Sequence, residues 1–352
     1  MPRSPTLREI AAIAGVHHTT LSRALRHHPD IKASRAAELR ALAEKLGYVP
    51  DPMLRGLAAY RTGRRPAAFH SVIAWLNPTS DAADARRYRT YRDYYEGASV
   101  RARELGFHLE LVTLPKPGSN ACVTSILKAR NITGIIVGPS PALGTSLKSI
   151  DWKNFSAVRI GHTLVYPHLH TVAPNCSNSM FTIMNELLAR GYRRPALLLE
   201  SQNDERTGHL WSAMFLRQQM RLARRNRLPL YLPPHRIRRQ TPEWVAEHRP
   251  DVIIIKGDEA LPPLLADYGF QIPRDLGMAA LVQPNEGAPV SGIDENSLDV
   301  GTAAVDLVVA MMNRQERGIP KNPHTLLIDN IWIEGKTLLP INVGIPVRSI
   351  PR

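Results

Sequence analysis

The chain has 352 residues, with 45 Lys and Arg against 31 Asp and Glu, for a formal net charge of +14. Its 43% hydrophobic and 22% charged residues supply enough apolar side chains for packed cores, which excludes a disordered basic tail or a fibrous protein. No run approaches the roughly 18 consecutive apolar residues of a membrane-spanning helix, and two cysteines, Cys122 and Cys176, are too few for a disulfide framework or a metal site.

The first residues lack the long apolar core and small-residue cleavage site of a secretion signal, so a reducing cytoplasm is expected. Charge concentrates here: residues 1–65 hold twelve Lys or Arg against five Asp or Glu, half of the net charge. That is the footprint of a segment that tracks phosphates, with a solvated basic face as the plainer alternative. Thr6 and Glu9 form a capping box ahead of Ile10, Ala11, Ile13 and Ala14, which predicts a short helix stopped by Gly15. Leu21, Ala24 and Leu25 mark a second helix, so residues 1–50 read as a helix-turn-helix headpiece, closed by a third amphipathic helix over residues 34–46. Histidines at 17, 18, 27 and 28 fall in adjacent pairs and not at metal-ligand spacing.

Residues 51–66 read as a hinge: Asp51 and Pro52 begin a marginal helix weakened by Gly56, which needs outside packing to form, and an exposed linker follows to Pro66. From residue 67 to 339, short apolar runs alternate with helical patterns. Strands are expected at 72–76, 109–114, 133–138, 157–161, 195–200, 228–232, 251–258 and 278–282. Helices are expected at 95–105, 123–129, 181–188, 211–222 and 261–266. This predicts two successive α/β lobes of similar size with parallel sheets, and a ligand crevice between them at the carboxyl ends of the strands. Residues 340–352 form a proline-rich C-terminal tail without leucine heptads.

The order TLREIAAIAGVHHTTLSRAL followed by LGYVP resembles the headpiece of the lactose/galactose-repressor family of bacterial transcription factors. Later stretches, among them LARGYRRPALLL, GFQIPRDLGMAAL, SGIDENSLDVGTAAVDLV and WIEGKTL, resemble its periplasmic-binding-protein-like effector domain. The resemblance implies base contacts from His18, Thr19 and Arg23, and phosphate contacts from Thr6, Thr20, Ser22, Lys32 and Tyr48. It further implies a hinge helix in the minor groove, with Leu57 as a wedge beside Leu54. The plainer readings are a surface charge for Arg23, a solvated His18 and a packed Leu57. Where the family caps its second helix with Ser or Thr, this chain has His17, and Leu54 stands where the family has Ala.

For the effector site, Arg206 and Trp211 match the family's ligand-clamping arginine and nearby aromatic, and Trp75, Asn77, Asp258 and Gln283 fall near predicted strand ends. Gly257 and Gln283 replace two side chains of the family's sugar-binding set. The implied protein is a cytoplasmic homodimer that binds a pseudo-palindromic double-stranded DNA operator, switched by a small carbohydrate or related metabolite, with no cofactor and no membrane partner. The rivals are a non-specific nucleoid-like DNA binder, a solute-binding protein and an α/β enzyme; no catalytic or phosphate-binding motif is found.

Overall fold

The structure, a computed structural model, describes residues 7–25, 31–46, 71–78, 88–114, 122–140, 142–234, 237–257, 261–284 and 290–339. The hinge at 51–66 and the tail at 340–352 lie outside the described residues, as do Thr6, Tyr48, Leu54, Leu57 and Asp258. The chain forms two compact units, Met1–Ala68 and Phe69–Arg352.

In the first unit, α1 (Leu7–Ile13), α2 (His18–Leu25) and α3 (Ala33–Lys45) enclose a small core of Ile10, Ala11, Leu21, Ala24, Ala36, Leu39 and Ala43. Gly15 ends α1 with φ of +62°, a left-handed conformation that glycine adopts without steric cost. The Val16 amide then donates to the Ala11 carbonyl at 3.0 Å, closing the turn into α2. Arg35 of α3 donates to the Ala14 carbonyl at 3.4 Å, linking the third helix to that turn.

The second unit begins with β1 (Ser71–Asn77), α4 (Arg89–Glu104), β2 (Phe107–Thr113), α5 (Val123–Ala129), β3 (Gly134–Val137), β4 (Thr145–Ser146), β5 (Ser156–Ile160), β6 (Leu164–Tyr166) and β7 (His170–Pro174). The chain then enters a second lobe through α6 (Cys176–Ala189), β8 (Pro195–Leu198), α7 (Ser201–Glu205), α8 (Leu210–Gln219), α9 (Ile237–His248), β9 (Val252–Ile255), α10 (Leu261–Asp267), β10 (Gly277–Ala280) and β11 (Gly292–Asp294). It returns to the first lobe as α11 (Ser297–Arg314) and β12 (Thr325–Ile328), and finishes in the second as β13 (Ile331–Ile333). The first sheet is parallel in the order β12-β7-β5-β3-β1-β2, with Trp75 opposite Ile136 and Ile136 opposite Val158. The second runs β13-β11-β10-β9-β8 and is parallel except where β13 meets β11. Strands such as β3, β8 and β9 are buried along their whole length, because helices cover both faces of a parallel sheet.

Two expectations change. The lobes are interleaved and not successive: α11 packs on the first sheet with Val300, Ala304, Val305 and Val308, although its sequence follows the second. The LPLYL run at 228–232 is not a strand; it makes a single bridge, Tyr231 with Leu198 of β8. Pro229 and Pro233 stand two residues either side of Tyr231, where a ladder would need N–H donors they do not have.

The chain therefore crosses between lobes three times, and the crossings are tied to one another. Asn175 donates to the Asp329 carboxylate at 2.8 Å, and Asn296 donates to the Asp329 carbonyl, also at 2.8 Å. Asn330 donates to Ser179 at 3.2 Å, and the Asn175 amide to the Ile328 carbonyl at 2.8 Å.

Helices α4 and α11 meet backbone to backbone. A Cβ built on Gly97 would lie 2.0 Å from the Leu298 carbonyl oxygen, and one on Gly301 2.0 Å from that of Tyr94. Gly301→Ala should therefore force the helices apart and cost about 1–3 kcal/mol, as overpacking of a core contact does. The check is a lower urea midpoint at unchanged slope, and an unmoved midpoint would mean that the contact yields freely.

Candidate functional site

On the first unit, α2 begins after His17, whose carbonyl accepts from the Thr20 and Leu21 amides at 2.9 and 3.2 Å. His17 Nδ1 and the Thr19 hydroxyl share a hydrogen bond of 2.8 Å, so an imidazole stands where a capping hydroxyl was expected. Leu21 and Ala24 point into the core, which leaves Thr19 and Arg23 exposed and His18 and Thr20 half-buried on the other face. Lys32 is exposed just ahead of α3. Ser22 lies on α2 among these residues.

The second unit contains a cavity of about 110 Å³ at the carboxyl ends of strands from both sheets. The first lobe contributes Tyr91 and Tyr94 of α4 and His162 just after β5; the second contributes Arg206, Trp211, Lys256 and Glu295. Arg206 is held by the tight turn between α7 and α8. The buried Asp204 carboxylate organises that turn, accepting from the Ser212 hydroxyl at 2.6 Å and the Ser212 amide at 3.1 Å, and bonding His209 Nδ1 at 2.9 Å. From there Arg206 Nη1 reaches the other lobe, donating to the Ser140 carbonyl at 2.8 Å, with the Tyr91 hydroxyl at 3.4 Å.

Lys256 follows the all-apolar strand β9. Its ammonium donates to Asn203 Oδ1 at 3.0 Å and lies 5.6 Å from the centre of the Tyr88 ring. Gly257 comes next because a Cβ there would lie 2.2 Å from the Val282 carbonyl, and its φ is +26°. Burial holds the Lys256 ammonium below its ordinary pKa, and the Arg206 charge lowers it further. Neither Arg206 nor Lys256 forms an ion pair with a carboxylate among the described residues.

Glu295 sits on the crossing from β11 to α11. Burial pushes its carboxyl up to about 7 despite the pull of Lys256, and Asp294 adds to the rise. Burial also raises the Tyr91 and Tyr94 hydroxyls and the Cys176 thiol, and lowers His162, so these wall groups are neutral at pH 7. His162 Nε2 and Trp211 Nε1 are buried without a hydrogen-bond partner among the described residues. Both residues belong to the cavity lining, so the polar groups of that wall are not all satisfied by the protein's own side chains.

Of the residues singled out in the sequence, Arg206 and Trp211 line this cavity together. Trp75 and Asn77 do not line it: both are buried on β1, the Trp75 ring edge-on to Tyr95 at 5.4 Å and its Nε1 against Gly138. Gln283 is also outside the lining, its amide bridging Val290, with bonds of 3.0 Å to the carbonyl and 3.2 Å from the amide. Lys256, Glu295, His162 and Tyr91 were not singled out. For Lys256 a signal was present, since a cation directly after VIII of a parallel strand falls where ligands bind.

A family model described as bacterial regulatory proteins, lacI family, matches residues 6–51, and one described as periplasmic binding protein-like domain matches residues 184–338. The two matches cover separate regions of the chain, a lacI-family region at the front and a periplasmic-binding-protein-like region behind it. Over 136 residues the chain is 29% identical to HTH-type transcriptional regulator Rv3575c of Mycobacterium tuberculosis; the match takes in 38% of the chain and 35% of that protein. The chain thus matches about a third of that relative's length. In fold it is similar to a lac repressor dimer bound to operator and the anti-inducer ONPF, with a TM-score of 0.57 and 16% identity over 96% of this chain and 100% of that one. It is also similar to a complex of transcriptional regulator CelR with cellobiose, with a TM-score of 0.56 and 16% identity over 95% of this chain and 99% of that one.

The Glu295 carboxyl makes stability depend on pH. Its folded-state pKa of about 7 exceeds the ordinary 4.5, so the folded chain holds the proton more tightly than the unfolded one. The resulting stability is complete below the unfolded value and is lost as pH rises through the folded one, by about 3 kcal/mol in all. Glu295→Gln should therefore flatten the fall in Tm between about pH 5 and pH 8. Parallel curves for the two proteins would show that this carboxyl ionises normally.

Proposed function

We propose that this chain is a sequence-specific DNA-binding transcriptional regulator, a repressor that binds a pseudo-palindromic operator as a homodimer and is switched by a small effector, a carbohydrate or related metabolite. The observation that carries the reading is the three-helix unit matching the lacI-family region, in which α2 leaves Thr19 and Arg23 exposed. The second helix of such a motif enters the major groove with its first residues toward base edges. In this reading His18, Thr19 and Arg23 read bases, while Thr20, Ser22 and Lys32, with Thr6 and Tyr48, contact phosphates. Leu54 and Leu57 enter the minor groove from the hinge, and the partner being DNA, the protein works in the cytoplasm. Domain bounds of 1–50, 51–66, 67–339 and 340–352 accompany this reading.

The cavity supplies the switch. Arg206 is rooted in one lobe and hydrogen-bonded to the Ser140 carbonyl of the other, so a ligand beside it has unequal contacts in different lobe orientations. Unequal affinity for two states is what a ligand needs in order to shift between them. Effector contacts are assigned to Arg206 and Trp211, with Asp258 carried over from the sequence alone.

Selection of bound duplexes from a random pool at physiological salt tests the reading, because salt weakens non-specific binding. An enriched pseudo-palindrome is expected. Arg23→Ala should cost about 1–3 kcal/mol and relax one operator position. Equal weakening on all sequences would make Arg23 a phosphate contact, and a pool without enrichment would mark a non-specific DNA binder.

A further inference from the structure

We infer that the cavity takes a small acidic molecule, a sugar-like carboxylate or phosphate whose anionic group lies between Arg206 and Lys256; the inference rests on the effector-switched reading above. Two basic side chains, Arg206 and Lys256, line one small cavity. Arg206 is bound to a carbonyl and a tyrosine hydroxyl, and Lys256 to an amide oxygen and the face of Tyr88. All four of these partners are uncharged; the Arg206 charge disfavours the Lys256 ammonium, and the Glu295 and Glu200 carboxyls act on it in the opposite sense without bonding to it.

A neutral sugar would leave that repulsion in place. An anion between the two groups removes the repulsion and gains charge-assisted hydrogen bonds, which are roughly twice as strong as neutral ones. The other cavity groups suit the rest of such a molecule. Trp211 Nε1 is a donor without a partner, His162 Nε2 is an orphaned ring nitrogen, and the tyrosine rings of α4 offer apolar faces.

Glu295 is the carboxyl that shares the cavity. It faces Lys256 after β9, Asp294 on β11, Tyr91 and Tyr94 on α4 and Cys176 on α6, and the Lys256 charge holds back the rise that burial causes. An arriving anion repels its charged form, so binding takes up a proton there. Affinity for an acid accordingly falls as pH rises through the range in which Glu295 ionises, and affinity for a neutral sugar does not.

The test is isothermal titration calorimetry of the full chain with D-glucose, D-galactose, D-glucuronate, D-galacturonate, D-gluconate and D-glucose 6-phosphate, at two pH values either side of neutrality. At least one acid should bind about tenfold or more tighter than its neutral counterpart and bind more weakly at the higher pH. The carboxylate and phosphate arms tell which anion is preferred. Lys256→Met removes a buried charge and so should fold; it should abolish the preference for the acid. Asn203→Ala, which frees the ammonium without deleting it, should weaken acid binding less.

Binding of a neutral sugar at least as tight as its acid, an unaltered preference in Lys256→Met, or no binding of any acid would overturn the inference. The effector-switched reading is judged separately, by operator affinity with and without each compound that binds. A neutral sugar that changes operator affinity keeps that reading and overturns the acidic class. An acid that binds through Lys256 without changing operator affinity keeps the acidic site and overturns the switch.

Discussion

Asp329 accepts from Asn175 through its carboxylate and from Asn296 through its carbonyl, and by doing so it ties together all three segments that pass between the lobes. A single crossing would leave two lobes free to rotate in any direction. Three crossings, bound side by side, restrict the motion to opening and closing around one line, the hinge geometry of ligand-enclosing folds. Glu295 and Asn296 are adjacent in the chain, so the cavity wall and this hinge share a backbone segment. A change of charge at the wall therefore acts at the axis of motion, where small displacements become large ones at the far ends of the lobes.

The cavity owes its electrostatics to the strands that end there. Parallel strands deliver their carboxyl ends to one side, and β9 is apolar enough to bury Lys256 immediately after it. Asp204 plays the matching part for Arg206 by locking the short turn between α7 and α8. Neither cation is paired directly with a carboxylate among the described residues; Arg206 bonds the Ser140 carbonyl and Lys256 the Asn203 amide oxygen. Such fixed dipoles cost little reorganisation when a charged group arrives.

The headpiece was legible because its elements are local. Gly15, the spacing of Ile10, Ala11, Leu21 and Ala24, and the run to Leu46 each mark a helix or its end within a few residues. Seven strands of the second unit, β1, β2, β3, β5, β8, β9 and β10, were legible for the same reason, as short apolar runs, while shorter or more polar ones such as β7 and β11 were not. What escaped was non-local: nothing in SLDVGTAAVDLVVAMMNR says that it returns to the first sheet, since its apolar face would suit either lobe. Trp75 and Asn77 lay at a predicted strand end, but packing against Gly138 and Tyr95 decided the orientation of the indole. Lys256 and Glu295 went unnoticed because their significance depends on meeting each other and Arg206, residues 50 or more positions apart from Arg206 in the chain.

The prolines that keep residues 228–232 from forming a full strand also decide what can happen beside them. Strand β8 is the last of its sheet, and an unguarded last strand is a template on which another chain can polymerise. Here the Tyr231 amide and carbonyl occupy its rim through bonds of 3.2 Å to Leu197 and 3.1 Å from Leu199. Pro229 and Pro233, which lack the N–H groups that would face β8, keep the cover from running further along that strand. The segment is a short cap that occupies the middle of the edge with one bridge, which leaves a partner strand no continuous row of free groups on β8 to pair with.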